Sequence, residues 1–340
     1  MEVLVTGGMG YIGSHTVVEL VEANYEVIIV DSLINSSTDV IKRIKEITNK
    51  EIIFYNVDLL NKEYLSHVFS QHSIEAVIHF AGHKLAEESV SLPLKYYKNN
   101  LISTINLCEV MEENSVYNFI FGSSASVYGT PEKLPLDESC TTEALDPYGK
   151  TKLMSEEILL DLSRSNPKWK IALLRFFNPV GVHEGGLIGE NPNGIPNNLL
   201  TYINKVATGE LKKLKVFGGD YPTDDGTGVR DYIHVVDLAK SHLKVLEKIN
   251  HLDQVEIFNL GRGCGYSVLQ VIKTFEKITG VKIPFEIVDR RPGDVAICYA
   301  DPEKSNKILG WKAKKDLDEI CRDTFEWQLN IHKEKLTNKI

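Results

Sequence analysis

The sequence predicts an α/β fold: a doubly wound parallel sheet with a smaller mixed α/β domain after it. Three observations carry this. Short apolar runs alternate with longer amphipathic ones through the first half of the chain, as β-α units with helices on both faces require. A glycine-rich turn joins the first apolar run to the first amphipathic one. From about Asn178 to Arg230 the composition shifts to Gly, Pro and Asn, the loops of a second domain. At 340 residues the chain can bury two cores.

Glu2–Thr6 reads as a buried parallel strand. Gly7-Gly8-Met9-Gly10-Tyr11-Ile12-Gly13 follows at once, and a helix runs from Ser14 to about Glu22. Gly7, Gly8, Gly10 and Gly13 satisfy both spacings of a dinucleotide fingerprint, placed between a strand and a helix as the Rossmann-type fold demands. There backbone approaches pyrophosphate closely and the helix N-terminus presents free N–H groups. The second strand, Glu26–Val30, ends in Asp31, 18 residues after Gly13. A carboxylate there suits a ribose diol and repels a 2′-phosphate, so NAD is favoured over NADP; the alternative is a plain strand-end turn.

Helices at about Thr38–Thr48, Lys62–Gln71 and Pro93–Glu113 alternate with strands at Glu51–Val57, Glu75–Phe80 and Tyr117–Gly122. Asp58 and Leu59 follow the third strand, within reach of an adenine. Ala81-Gly82-His83-Lys84 follow the fourth, at the carboxyl edge where ligands bind. Lys84 there is a cofactor contact or a solvated loop lysine. The fifth strand ends in Gly122-Ser123-Ser124-Ala125-Ser126, whose hydroxyls serve a substrate oxygen or a turn. A strand at Trp169–Phe176 completes the series. Later come strands at Glu256–Leu260 and Pro284–Val288, and helices at Asn198–Ala207, Val236–Ile249, Ser267–Thr279 and Asp316–Gln328.

Asp146-Pro147-Tyr148 reads as an N-cap, a first helical proline and a tyrosine on the first turn. Tyr148 and Lys152 are four apart and share a helix face. A phenol with a pKa of about 10 is a poor base at neutral pH, and a nearby cation lowers that value. Reaching about 7 takes roughly 4 kcal/mol, more than one exposed pair supplies. A second cation is therefore implied, and an oxidised nicotinamide fits. The plain alternative is an amphipathic helix that happens to carry both residues.

Net charge of −9, with no basic cluster beyond short lysine-rich turns, argues against a nucleic-acid partner. No apolar run approaches the ~18 residues of a membrane span. The first strand begins at Glu2, which leaves no room for a signal peptide. The five cysteines form no Cys-x-x-Cys, so neither a metal site nor a disulfide framework is expected, and a reducing, cytoplasmic compartment fits.

With Thr6-Gly-Gly-x-Gly-Tyr-Ile-Gly13, Ser124 and Tyr148-x-x-x-Lys152 in one chain, the sequence resembles the extended short-chain dehydrogenase/reductase superfamily. Gly7 to His15, His79-Phe-Ala-Gly82, Phe176-Phe-Asn-Pro-Val-Gly181, Gly194-Ile-Pro-Asn-Asn-Leu199 and Asp224 to Val235 narrow the likeness to the UDP-glucose 4-epimerase family, from Glu2 to about Gln328. The resemblance implies an isomerase of galactose metabolism that interconverts UDP-galactose and UDP-glucose through a transient 4-keto sugar with bound NAD. It implies Tyr148 as base, Ser124 sharing its hydrogen bond, and Lys152 on the nicotinamide ribose. It places Tyr11 and Ile12 at the pyrophosphate and Asp31 at the adenine ribose. Asp58, Leu59, Phe80, Ala81, Gly82, Lys84, Asn99 and Phe177 make further NAD contacts. Asn178, Asn197, Asn198, Leu199 and Phe217 hold the nucleotide sugar, Arg230 and Arg291 clamp its diphosphate, and Asp294 belongs to the same anchor. Residues 1–177 are then the NAD-binding domain and 178–340 mainly the UDP-sugar-binding domain, some later segments packing back on the first.

The likeness also implies a homodimer through the helices that start at Pro93 and Pro147, whose apolar residues exceed what one packed stripe uses. Cys298 stands where a tyrosine goes with plain hexoses and a smaller residue with N-acetylated sugars, so UDP-GlcNAc and UDP-GalNAc are expected substrates. Departures are Glu87, where the family more often has glycine, and Phe176, where a tyrosine is frequent. Rival readings are a UDP-uronate or UDP-pentose epimerase, a dehydratase or decarboxylase on the same fold, and a non-catalytic NAD-sensing protein. A dehydratase commonly carries an Asp-Glu pair after the hydroxyl residue, where this chain has Ala125-Ser126.

Overall fold

Contiguous runs of β-branched and aliphatic residues build the first half of the molecule. The computed structural model describes residues 1–190, 198–291 and 293–337. Strands β1 (Glu2–Thr6), β2 (Glu26–Asp31), β3 (Ile53–Asn56), β4 (Ile74–His79), β5 (Asn118–Ser124) and β6 (Lys170–Phe176) alternate with helices α1 (Tyr11–Glu22), α2 (Asp39–Thr48), α3 (Lys62–Gln71), α4 (Ala86–Ser91), α5 (Pro93–Glu113) and α6 (Pro147–Ser165). β7 (Asn178–Val180), α7 (Leu199–Ala207), β8 (Leu214–Phe217), β9 (Val229–Arg230), β10 (Tyr232–His234), α8 (Val235–Lys248) and β11 (Val255–Leu260) follow. The chain continues through β12 (Tyr266–Ser267), α9 (Val268–Thr279), β13 (Phe285–Val288), β14 (Ile297–Cys298), α10 (Glu303–Leu309) and α11 (Leu317–Thr337).

The main sheet has seven parallel strands in the order β11-β6-β5-β4-β1-β2-β3. Winding reverses between β1 and β4, and that reversal opens a crevice at the carboxyl ends of those two strands. Strand alternation sorts the two faces. Val3 and Val5 join Val17, Val18 and Leu238 on one side, under α1 and α8. Leu4, Phe119 and Phe121 join Leu65, Leu107 and Leu159 on the other, under α3, α5 and α6. A third core gathers Leu200, Ile203, Val216, Val271, Phe275 and Ile320 in the later part of the chain.

Two segments after residue 178 return to the first layer. β11 pairs with β6 as the seventh strand, and α8 packs on α1. The short strands β7, β8, β9, β10, β12 and β14, together with α4 and α10, are additions to the elements read from sequence, whereas β13 matches the strand read at Pro284–Val288. The added strands, of two to four residues, are too short to show a period.

One buried network locks the sheet to α6. Arg175 Nη2 and Nε donate to the two oxygens of Glu156 at 2.6 and 3.0 Å, and Ser123 Oγ donates to Glu156 Oε1 at 2.5 Å. Arg175 Nη1 also reaches Tyr128 Oη at 2.9 Å, which donates to Asn259 Oδ1 at 2.7 Å. β5, β6, α6 and β11 are thereby fixed around the end of β5. Removing one partner of such a pair costs about 3–5 kcal/mol, because the other charge is left buried.

Candidate active site

The glycine turn makes room for an anion. Gly7 has φ +69°, and a Cβ there would lie 2.7 Å from the Ala81 nitrogen; one on Gly13 would lie 2.2 Å from the Gly7 oxygen. Gly10 caps α1 without a side chain, so the first-turn N–H groups at Tyr11, Ile12 and Gly13 meet no side-chain oxygen of the cap. They border a cleft of about 1450 Å³. That exceeds the ~300–1,000 Å³ of a site for one small ligand. Its walls include Gly7, Gly10, Asp31, Asp58, Leu59, Phe80, Ala81, Gly82, Lys84 and Asn99. Asp31 is buried, and its carboxylate accepts from the Met9 and Leu33 nitrogens at 3.0 and 2.9 Å and from Ser36 Oγ at 3.0 Å. It therefore also holds the glycine turn in shape.

The same cleft takes in Ser124, Tyr148, Lys152 and Phe177. Asp146 Oδ1 accepts from the Gly149 nitrogen at 2.9 Å, and Pro147 opens α6. The Tyr148 nitrogen donates to Ser89 Oγ at 3.1 Å, which joins α4 to this turn. Lys152 Nζ donates to the Gly122 carbonyl at 2.7 Å and lies 4.8 Å from the Phe121 ring centroid. Burial pushes the Tyr148 phenol up to about 12; a hydrogen bond with Ser124 works against this, and Asp146 adds to it. Burial also brings the Lys152 ammonium down to about 8, with Glu156 opposing. Lys152 alone does not lower the phenol in this structure; the sequence expectation also called for a second cation. The ammonium is spent on a carbonyl, and desolvation dominates both groups.

At the other end, Asn178, Asn198, Leu199, Phe217, Arg230, Arg291 and Asp294 line the cleft. Arg291 Nε donates to Asp294 Oδ2 at 3.0 Å and its guanidinium sits 4.7 Å from the Phe217 ring centroid. Arg230 Nη2 lies 3.8 Å from Asp294 Oδ1. Two guanidinium forks thus share one carboxylate, a geometry suited to a diphosphate. Asp231 explains the run around Arg230. Its buried carboxylate accepts from the backbone nitrogens of Arg262, Gly263 and Ala300 at 2.9, 3.0 and 3.2 Å.

Asn197 lies outside the described residues. Cys298 is half-buried on β14 and packs in a small cluster with Ala125 and Phe177; it is not part of the cleft wall, whereas Phe177 is. Among the described residues no group of three His, Cys, Asp or Glu side chains is placed to hold a metal. Residues the sequence reading did not single out include Glu156, Arg175, Asn100 and Glu190. Asn100 Oδ1 accepts from the His83 nitrogen at 2.8 Å and its Nδ2 donates to Thr151 Oγ1 at 3.0 Å, tying the turn after β4 to α6. Only Arg175 carries a signal, as a charged residue inside the apolar run 171–177; the others stand among polar neighbours, and sequence alone pairs none of them with a distant partner.

The family model described as GDP-mannose 4,6 dehydratase matches residues 4–324. The UDP-glucose 4-epimerase of Bacillus subtilis is 56% identical over 96% of this chain and 97% of its own length. The solved UDP-glucose 4-epimerase of Bifidobacterium longum, in complex with NAD+ and UDP, superposes with a TM-score of 0.94 at 51% identity, covering 97% of this chain and 98% of that one. The enzyme of that name from Stenotrophomonas maltophila, with bound NAD and formylated UDP-arabinopyranose, gives 0.96 at 46% identity, over 98% and 99%.

The lowered Lys152 pKa has a consequence for stability. Unfolded, Lys152 keeps its proton to about 10.5; folded, it loses it from about 8. Between these values unfolding takes up a proton, so the stability of nucleotide-free protein rises with pH. Urea unfolding at about pH 8 and about pH 10 should show this rise in the wild type and a flatter one in Lys152→Met; equal slopes would refute the burial of a charged lysine.

Proposed function

The chain belongs to the UDP-glucose 4-epimerase family of extended short-chain dehydrogenases/reductases, and on that premise we propose how its residues carry the reaction. It is an NAD-dependent isomerase that interconverts UDP-galactose and UDP-glucose through a 4-keto sugar. The observation that carries the residue assignment is one cleft holding the glycine cradle, the Ser124–Tyr148 pair and the Arg230–Asp294–Arg291 clamp.

The cradle at Gly7, Gly10 and Gly13 fits a diphosphate, and Asp31 a ribose diol, so these residues with Tyr11, Ile12, Asp58, Leu59, Phe80, Ala81, Gly82, Lys84, Asn99 and Phe177 would hold NAD. Bound NAD supplies the redox chemistry, taking hydride from sugar C4 and returning it to the opposite face. Tyr148 accepts the proton of the 4-hydroxyl and gives it back, with Ser124 on the same oxygen. A phenol at about 12 is a weak base until cations surround it, so Lys152 must turn from the Gly122 carbonyl toward the ribose and phenol side of the cleft. Arg230 and Arg291 keep the diphosphate anchored while the sugar rotates, with Asn178, Asn198, Leu199, Phe217 and Asp294 shaping that end. In this reading residues 1–177 bind NAD and 178–340 mainly the UDP-sugar, with α8 and β11 returned to the first domain. The dehydratase reading is disfavoured because Ala125 and Ser126 carry no carboxylate beside Ser124. A place in galactose metabolism, in a reducing cytoplasm, accords with the substrates and with five free cysteines.

The reading extends to a homodimer. Leu94, Ile102 and Ile105 on α5 and Met154 on α6 are exposed, while the opposite faces of both helices are buried. Pairing these helices with a second copy covers that stripe. It also extends to N-acetylated sugars. Cys298 packs against the cluster that contains Phe177, so the bulk of a tyrosine there would press on that cluster and on the cleft wall it supports, and an acetamido group needs that volume.

Tyr148→Phe should lower epimerisation about 10²–10⁴-fold while NAD still copurifies; activity within about twofold of wild type would refute the base assignment. Light scattering should give twice the 38.3 kDa chain mass, and a monomer at working concentration counts against pairing. Cys298→Tyr should lose turnover of UDP-N-acetylgalactosamine selectively over UDP-galactose; wild-type protein inert toward the acetylated sugar would end that claim.

A further inference from the structure

The segment from Gly181 to Glu190 crosses from the second half of the chain to the walls of the NAD cleft, and three contacts fasten it there. The Tyr11 hydroxyl donates to the Gly181 carbonyl at 2.6 Å. Arg43 Nη1 donates to the Leu187 carbonyl at 3.1 Å. Lys84 Nζ donates to Glu190 Oε1 at 2.9 Å. Each first-half partner, Tyr11, Arg43 and Lys84, lines the cleft, and so do Ile188, Gly189 and Glu190 of the segment. The cleft wall is therefore bridged at the glycine turn, at α2 and after β4.

Glu190 is the ionic member of this strap. Its side chain is 15% exposed, and its second oxygen accepts from Thr201 Oγ1 at 2.8 Å, so α7 holds the carboxylate in place. Lys84 is half-exposed and flexible by nature. Paired with Glu190, its ammonium sits 5.9 Å from the centroid of the Tyr11 ring, at the N-terminus of α1. Without a fixed anion, that lysine would sample solvent.

We propose that Glu190 is a positioning residue that fastens the 181–190 strap across the NAD cleft through Lys84 and so sets how long the dinucleotide stays bound. This rests on the reading of the cleft as the NAD site. The bridge ties together walls of the same cleft that holds the glycine cradle, so loosening it frees one wall to move away from a dinucleotide lying there. Breaking the bridge shortens its residence and raises the apparent KM for added NAD, while the chemistry at Tyr148 is read separately in kcat.

The test compares wild type, Glu190→Gln, Lys84→Met and the double variant, each loaded with NAD and followed by nucleotide released after desalting. Glu190→Gln keeps the size of the side chain and an oxygen for Thr201 but removes the charge. It should release NAD about three- to tenfold faster, the scale of a partly exposed ion pair. At about 0.5 M KCl the gap to wild type should narrow, because screening weakens the wild-type bridge. In the Lys84→Met background the same substitution should have little further effect. Release from Glu190→Gln at the wild-type rate overturns the proposal, as does an equal effect of Glu190→Gln with and without Lys84. Wild-type protein that takes up no NAD would instead overturn the cleft reading itself.

Discussion

In its resting geometry α6 meets the end of β5 through the bond from Lys152 Nζ to the Gly122 carbonyl. It joins two periodicities. On α6, Lys152 lies one turn beyond Tyr148, on the same face. On β5, Ser124 lies two residues beyond Gly122, again on the same face. Tyr148, at the start of α6, and Ser124, at the end of β5, then line one cleft. The Glu156–Arg175–Ser123 network sets the next turn of α6 against β5 and β6, so the helix is held at two points. Asp146 and Ser89 define where it begins.

Holding a lysine there has an energetic cost that the protein carries for its chemistry. Burial disfavours both the ammonium and the phenolate: at neutral pH the phenol is neutral, as desolvation prefers, while Lys152 keeps its charge against the penalty. The cleft stores polarity that a cationic ring and a bound sugar can use. The remote clamp at Arg230 and Arg291 makes the complementary arrangement: charges at the edge of a wide cleft, held by Asp294 at the end where a diphosphate would sit. Chemistry and anchoring are thus separated in one cavity, which a reaction that turns its substrate over requires.

How much of this was legible in the sequence follows from the range of each interaction. β1 and α5 have the bounds read from the chain, because a buried parallel strand is a continuous apolar run and a long helix has a period and a proline start. The glycine turn, Asp31, Ser124, Tyr148 and Lys152 were singled out because motif spacing is local, and all of them line one cleft. Which later segment joins the main sheet, the Arg175–Glu156 pair and the Lys84–Glu190 bridge were not legible, since each joins residues far apart in the chain. The bond from Lys152 to the Gly122 carbonyl was not legible for the same reason. Spacing shows that a lysine is near a tyrosine, and it does not show which carbonyl takes the ammonium.

The central claim is that the sugar carbon is oxidised and then reduced in one closed site, with Tyr148 moving the proton and no exchange with solvent. UDP-galactose deuterated at C4 tests it directly. The account predicts UDP-glucose that retains the deuterium at C4, with no accumulation of reduced cofactor. Loss of the label to water, or a dehydrated keto-sugar as product, would contradict it.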